Sequence, residues 1–395
     1  MPRVRVAIGD RIGGWLVTSA VGRGWAGARD LAYAVRAYAA WRRARRSASG
    51  ERAGTSRERA ETSGERAGTA LTGDRAAAAS THDVRARPLE ARPQRQPALT
   101  RGSPRTVAVL GTGTLGAPVA RRLAEAGFTV RAWNRTPARA QPLAAHGVEV
   151  CASAAAAADG ADALITLLSD GRAVAEVCAA GVLASAPRGA LWLQMSTVGV
   201  RDCERLRELA ERHDVVYCDC PVLGTREPAE RGELVALASG PRAAEEPLRQ
   251  LLRPLARTVL WLGEAGAGSR MKVAVNGWLL GLVANLAETI ALARALDLDA
   301  QVLVELLARS PAGSPYAGIK GPAMFAREYP PSFSLALAAK DARLVREARD
   351  LVALRGELAE SVRALYERAL ERGLGDLDFA AVYELCAPLG ERTVE

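Results

Sequence analysis

From Arg105 onward, apolar and polar positions fall into a regular succession of short runs. TVAVL (106–110) is an unbroken apolar run of strand length, and GAPVARRLAEAG (116–127) spaces its apolar residues as a helix does and ends at a glycine. TVRAW (129–133) reads as a second strand, so the three segments open a βαβ unit. ALITLL, ALWLQM, VVYCD and LVALAS repeat the strand pattern downstream, separated by helical or turn stretches. Such alternation predicts an α/β fold with a parallel, doubly wound sheet covered on both faces. After Gly268 the strand pattern stops, and residues 269–390 read as helix after helix, which predicts an all-helical second domain over 268–395.

Upstream of Pro104 this periodicity is lost. Residues 49–69 repeat on themselves (SGERAGTSRERAET, then SGERAGT), and a content of Gly, Ser, Thr and Arg predicts an unfolded, low-complexity segment within a basic extension over 1–104. Within that extension Asp30–Arg46 has the pattern of a short helix capped by Asp30. Charge follows the same division. The 395-residue chain carries a net +9, but residues 1–105 hold 21 arginines against 9 acids, and the remainder 32 basic residues against 35 acids. A basic head on a near-neutral body argues against a domain that reads nucleic acid. The head itself is open to three readings: a docking or membrane-surface segment, an organelle-targeting segment, or sequence upstream of the true start.

The most apolar stretch, Val273–Ala287, is shorter than the roughly 18–20 residues a membrane helix needs and contains Asn276 and Asn285, so a buried core helix is expected. No signal peptide is read at the N-terminus. The six cysteines (Cys151, Cys178, Cys203, Cys218, Cys220, Cys386) are scattered, as expected of reduced thiols in a cytoplasmic protein. Three histidines far apart, His82, His146 and His213, offer little for a metal site, and none is expected.

The first chemical signal is VLGTGTLGAPVA. Gly111, Gly113 and Gly116 stand in G-x-G-x-x-G order directly after a strand and at the opening of a helix. In that context the first glycine permits a tight turn, the second lets backbone approach a pyrophosphate, and the third lets helix and strand pack closely. The loop 111–116 (with Thr112, Thr114 and Leu115) is thus read as a dinucleotide cradle, and residues 105–267 as a Rossmann domain. At the end of the second strand the chain offers Asn134, Arg135 and Thr136 and no carboxylate, so Arg135 can clamp a 2′-phosphate with Asn134 and Thr136 as hydrogen-bond partners. This favours NADP over NAD.

The second signal is a scarcity. Of 53 basic residues only three are lysines, and one of them, Lys272, lies in GAGSRMKVAVN. Arginine cannot give up a proton near neutral pH, whereas a lysine of lowered pKa can act as acid or base. Asn276, four residues on, shares a helix face with it.

Six segments in order (GTGTLG, NRT, MSTVGV, DCPVLGTREPAERGEL, GAGSRMKVAVN and LAAKDARL) make residues 105–391 resemble the β-hydroxyacid dehydrogenase family, which includes 3-hydroxyisobutyrate dehydrogenases and glyoxylate or succinic semialdehyde reductases. The resemblance implies a long interdomain helix and a homodimer or homotetramer. It implies Lys272 as the catalytic lysine, Asn276 as a holder of substrate, Ser196 beside the nicotinamide and substrate, and Thr197, Leu168 and Lys340 at the cofactor. The substrate loop departs from the family pattern. Leu223, Gly224 and Thr225 stand where a serine and two glycines are usual, which points to a less polar substrate than a small carboxylate. Gln194 replaces a common aspartate and Val200 a common proline. The function expected is hydride transfer between NADPH and a carbonyl of the aldehyde or β-hydroxyacid type, with Lys272 as general acid or base. Two rivals are an imine reductase on the same fold and a non-catalytic nucleotide-binding module.

Overall fold

The computed structural model describes residues 104–387. The basic extension, including the expected helix Asp30–Arg46 and the repeat at 49–69, lies outside the described residues. Six strands form one parallel sheet: β1 (Thr106–Leu110), β2 (Thr129–Trp133), β3 (Glu149–Val150), β4 (Ala163–Thr166), β5 (Leu191–Gln194) and β6 (Val216–Asp219), in the order β3-β2-β1-β4-β5-β6. This is the doubly wound order whose direction of winding reverses between β1 and β4, leaving a crevice at their carboxyl ends.

The apolar run of β1 is explained by burial on both faces. Val107 and Val109 belong to one core and Ala108 and Leu110 to another, on opposite sides of the sheet. Helices α1 (Gly116–Glu125), α2 (Ala154–Ala158), α3 (Gly171–Val177) and α4 (Val200–Arg212) cover these faces.

One expectation is corrected. LVALAS does not extend the parallel sheet. Its strand β8 (Leu234–Ala238) lies in a separate three-stranded sheet, antiparallel to β7 (Val222–Leu223) and parallel to β9 (Ala256–Trp261). Apolar patterning reports that a strand is buried and says nothing of its neighbour. Between β7 and β8 lies α5 (Arg226–Arg231), and α6 (Glu245–Leu252) precedes β9.

The next element is α7 (Ala267–Ala295), a helix of 29 residues. Contrary to the expectation from sequence, it is long and apolar enough to cross a membrane by length and composition. Part of it is packed in protein. Leu280, Val283, Leu286, Ala287 and Ile290 are buried in the core of a helical lobe completed by α8 (Ala300–Arg309), α9 (Pro315–Ala326), α10 (Leu335–Leu351), α11 (Glu357–Glu371) and a 3₁₀ turn at Phe379–Leu385. Its first turns pack instead against β6 and β8, so one helix carries both lobes.

Candidate active site

The glycine loop has the shape its sequence implies. Gly111 has φ of +102°, and a Cβ there would lie 2.4 Å from the Leu167 carbonyl oxygen. A Cβ on Gly116 would lie 1.8 Å from the Gly111 carbonyl oxygen, so α1 and the loop touch backbone to backbone. At Gly113 a Cβ would meet nothing within 4 Å. The middle glycine therefore faces open space where a pyrophosphate could approach. No side chain caps α1, and the buried Thr112 hydroxyl has no hydrogen-bond partner among the described residues. Free helix N–H groups, an unpartnered hydroxyl and an open backbone face fit a dinucleotide phosphate.

Asn134 has backbone partners in addition to the role expected of it. Its Oδ1 accepts from the Thr112 N–H (3.1 Å) and its Nδ2 donates to the Thr136 carbonyl (3.0 Å), so it braces the glycine loop against the end of β2. The amide is engaged with backbone through Oδ1 and one N–H. Arg135 is exposed and has no partner among the described residues.

Ser196 likewise has backbone partners. It is 3% exposed, its Oγ accepts from the Leu168 N–H (2.9 Å), and its one proton goes to the Thr166 carbonyl (3.2 Å). A hydroxyl so engaged orders the Leu168 loop. Gln194 clasps the backbone of Ser196, accepting from its N–H (2.7 Å) and donating to its carbonyl (2.9 Å). The sequence singled out Gln194 only as a departure, yet it shapes the turn that leads to Thr197.

Lys340, on α10, donates to the carbonyls of Ser169 (3.0 Å) and Thr197 (2.7 Å), which lie in the loops that follow β4 and β5. It thus ties the helical lobe to the carboxyl edge of the sheet, beside the crevice. Its Nζ also lies 2.9 Å from Asp341 Oδ1, an ion pair misaligned for a hydrogen bond.

Asp341 is the residue that reading the sequence missed, although it adjoins Lys340. Asn276 is 2% exposed and donates from Nδ2 to Asp341 Oδ2 at 2.5 Å. With its NH₂ on the carboxylate, the Asn276 amide has its Oδ1 without a hydrogen-bond partner. Lys272 is only half-buried, yet protein atoms crowd its ammonium on most sides. That poor solvation pushes its pKa down to about 8; the Asp341 carboxylate opposes the shift and the Lys340 ammonium reinforces it. The helix spacing of Lys272 and Asn276 and the charges of α10 converge as a single cluster.

In the substrate loop, Leu223 ends β7 and Thr225 precedes α5. Gly224 between them has φ of +122°, and a Cβ there would lie 2.8 Å from Leu234 Cδ2. Its glycine is required by backbone and packing.

A Rossmann crevice with an open glycine loop, faced by a helix bearing a lysine of lowered pKa, defines a nicotinamide-dependent oxidoreductase. Residues 106–263 match the family described as the NAD binding domain of 6-phosphogluconate dehydrogenase, and residues 266–386 the family described as the NAD-binding domain of NADP-dependent 3-hydroxyisobutyrate dehydrogenase. The chain belongs to the β-hydroxyacid dehydrogenase family. It is 32% identical over 280 residues to glyoxylate/succinic semialdehyde reductase 1 of Arabidopsis thaliana, covering 70% of this chain and 97% of that one. To the chloroplastic reductase 2 of the same plant it is 31% identical over 281 residues, covering 71% and 78%. Among solved structures it resembles 3-hydroxyisobutyrate dehydrogenase of Mycobacterium tuberculosis with L-serine, with a TM-score of 0.65, 32% identity, and coverage of 71% and 98%.

Proposed function

We propose that this chain reduces a small carbonyl compound of the aldehyde or β-hydroxyacid type with NADPH, and catalyses the reverse oxidation, with Lys272 as the proton donor or acceptor. The nicotinamide, when bound, supplies or takes the hydride at the carbonyl carbon. Lys272 gives the oxygen its proton as the hydride arrives, so ketone or aldehyde becomes alcohol and the ammonium becomes amine. Asn276 accepts through its free Oδ1 a hydrogen bond from the alcohol product or from a neighbouring substrate hydroxyl, while its NH₂ remains on Asp341. Ser196, Gln194 and Lys340 set the loops on which Leu168 and Thr197 would meet the nucleotide.

The observation that carries this reading is the lowered pKa of Lys272, about 8, in a cluster with Asn276, Asp341 and Lys340. An acid whose pKa is near the working pH is effective both as donor and, deprotonated, as acceptor. Arg135, exposed beside the end of β2 with no carboxylate at 134–136, supports NADP as the preferred cofactor. Leu223 supports a substrate with a less polar flank than glyoxylate. Exposed Trp278 and Leu292 on α7 and Leu296 at its C-cap, with Val302, Leu306 and Ile319 on the next two helices, support a homo-oligomer, which light scattering of the purified chain tests.

The deciding experiment is Lys272→Ala assayed with a panel of semialdehydes, 3-hydroxy acids and cyclic imines. Turnover should fall by about 10²–10⁴-fold, with NADPH binding, followed by nucleotide fluorescence, unchanged. Undiminished turnover would remove the lysine from the reaction, and a preference for cyclic imines would replace the carbonyl assignment.

A further inference from the structure

Helix α7 starts in an unusual way. Its N-cap position is Gly266, which has no side chain to offer, and the cap comes from the sheet instead. Asp219, the last residue of β6, accepts from the Ser269 N–H at 2.6 Å through Oδ2 and from the Ser269 hydroxyl at 2.7 Å through Oδ1. Ser239, paired with Asp219 through a two-residue backbone bridge, accepts from the Gly268 N–H at 3.0 Å. The approach is close enough that a Cβ on Gly268 would lie 2.2 Å from the Leu237 carbonyl oxygen. Asp219, Ser239 and Ser269 are all buried.

Two oxygens of one carboxylate, each bonded to a different atom of one residue, fix both the height and the rotation of the helix end. Lys272 follows Ser269 by three residues, which places it one turn on along the same face. A rotation of α7 by one residue turns that face by about 100° and carries Lys272 away from Asp341.

We propose that Asp219 is a positioning residue for the reaction: through Ser269 it locks the register of α7 so that Lys272 stands within the Asp341–Asn276 cluster. The proposal rests on the reading of Lys272 as proton donor. Burial pushes the Asp219 carboxyl up to about 6 while the two Ser269 bonds pull it down, so at neutral pH it is a carboxylate and acts purely as an acceptor. Asp219→Asn keeps the shape but sets an NH₂ against one of the Ser269 donors.

The small number of lysines provides a direct readout. In the full chain labelled with ¹³C-lysine, Lys272, Lys320 and Lys340 give three ε-carbon signals, which single Lys→Arg changes assign. In Asp219→Asn the titration of Lys272 is expected to move by about half a pH unit or more, with the Lys320 signal unmoved. Turnover is expected to drop about 10²-fold, as for a misplacement of about 1 Å, with the Kd for NADPH unchanged. A folded Asp219→Asn with the parental Lys272 titration and parental turnover overturns the proposal, as does a lowered Tm with both readings unchanged. A moved titration with parental turnover supports the positioning role and removes Lys272 as proton donor. If Asp219→Asn does not fold, Ser269→Ala, which loses the hydroxyl bond and keeps the amide bond, decides by the same two readings.

Discussion

Asn276 and Asp341 are 65 residues apart in the chain, yet the Asn276 amide donates to the Asp341 carboxylate at 2.5 Å and joins α7 to α10 at the candidate site. The carboxylate also raises the pKa of Lys272 against the lowering effect of burial. Asp341→Asn removes that charge, so the lysine should lose its proton at lower pH than in the parent. In the proposed mechanism reduction needs the ammonium. In the parent, kcat/KM for reduction should hold below about pH 8 and decline above it, while oxidation rises through the same value. In Asp341→Asn both limbs should move to lower pH, and paired pH profiles in the two directions check this. Limbs that move upward, or stay, contradict the assigned sign.

The last and the middle glycine of the loop lead to opposite expectations for two alanines. Gly116→Ala would drive a Cβ to 1.8 Å from the Gly111 carbonyl oxygen, and overpacking of this kind costs about 1–3 kcal/mol or more. Gly113→Ala points into open space, so its Tm should match the parent while NADPH affinity falls about tenfold or more, equivalent to about 1.4 kcal/mol. Thermal melts with and without nucleotide separate the two. Unchanged nucleotide affinity in Gly113→Ala would mean the cofactor does not approach this face.

Cofactor choice should reside in Arg135. Hydrogen bonds to a charged group are worth about 1.5–3 kcal/mol, so Arg135→Ala should weaken NADPH by about ten- to a hundredfold and leave NADH nearly untouched. Competitive fluorescence titration of both nucleotides measures the ratio. Equal losses for the two would assign Arg135 to the adenosine rather than to the 2′-phosphate.

The third lysine has a structural task. Lys320 donates to both oxygens of Asp378 (2.7 and 2.9 Å) and lies 4.8 Å from the centre of the Phe379 ring, with the lysine and aspartate side chains 6% and 3% exposed. Asp378 also accepts from the N–H and hydroxyl of Ser332, just ahead of α10. Lys320→Met leaves a buried carboxylate without its cation and should cost about 3–5 kcal/mol, read from the urea midpoint. Burial alone would raise the Asp378 pKa, but the Lys320 bonds and the Ala380 N–H hold it below its usual value. The stabilisation it provides is therefore present above about pH 4 and is lost as the pH falls. A parental urea midpoint for Lys320→Met at pH 7 would show the pair to be neutral.

What the sequence determined by itself was everything that local chemistry dictates. The run TVAVL must be buried on both faces, Gly111 and Gly116 are imposed by a positive φ and a close approach within a few residues, and the four-residue spacing of Lys272 and Asn276 follows from helix geometry. Each depends on neighbours along the chain, so each was legible. Tertiary structure alone decided which partners those groups meet. The two-residue strands β3 and β7 are too short to carry a period, β9 was passed over, and β8 joined a second sheet because pairing is chosen by the fold. Asn134 and Ser196 have side chains suited to a ligand, and only their surroundings show the backbone groups that engage them. Asp219 and Asp341 lie 50 and 65 residues from the helix atoms they bind. Carboxylates are common in any chain, and burial against a particular N–H or amide, which no local pattern encodes, is what gave these two their roles.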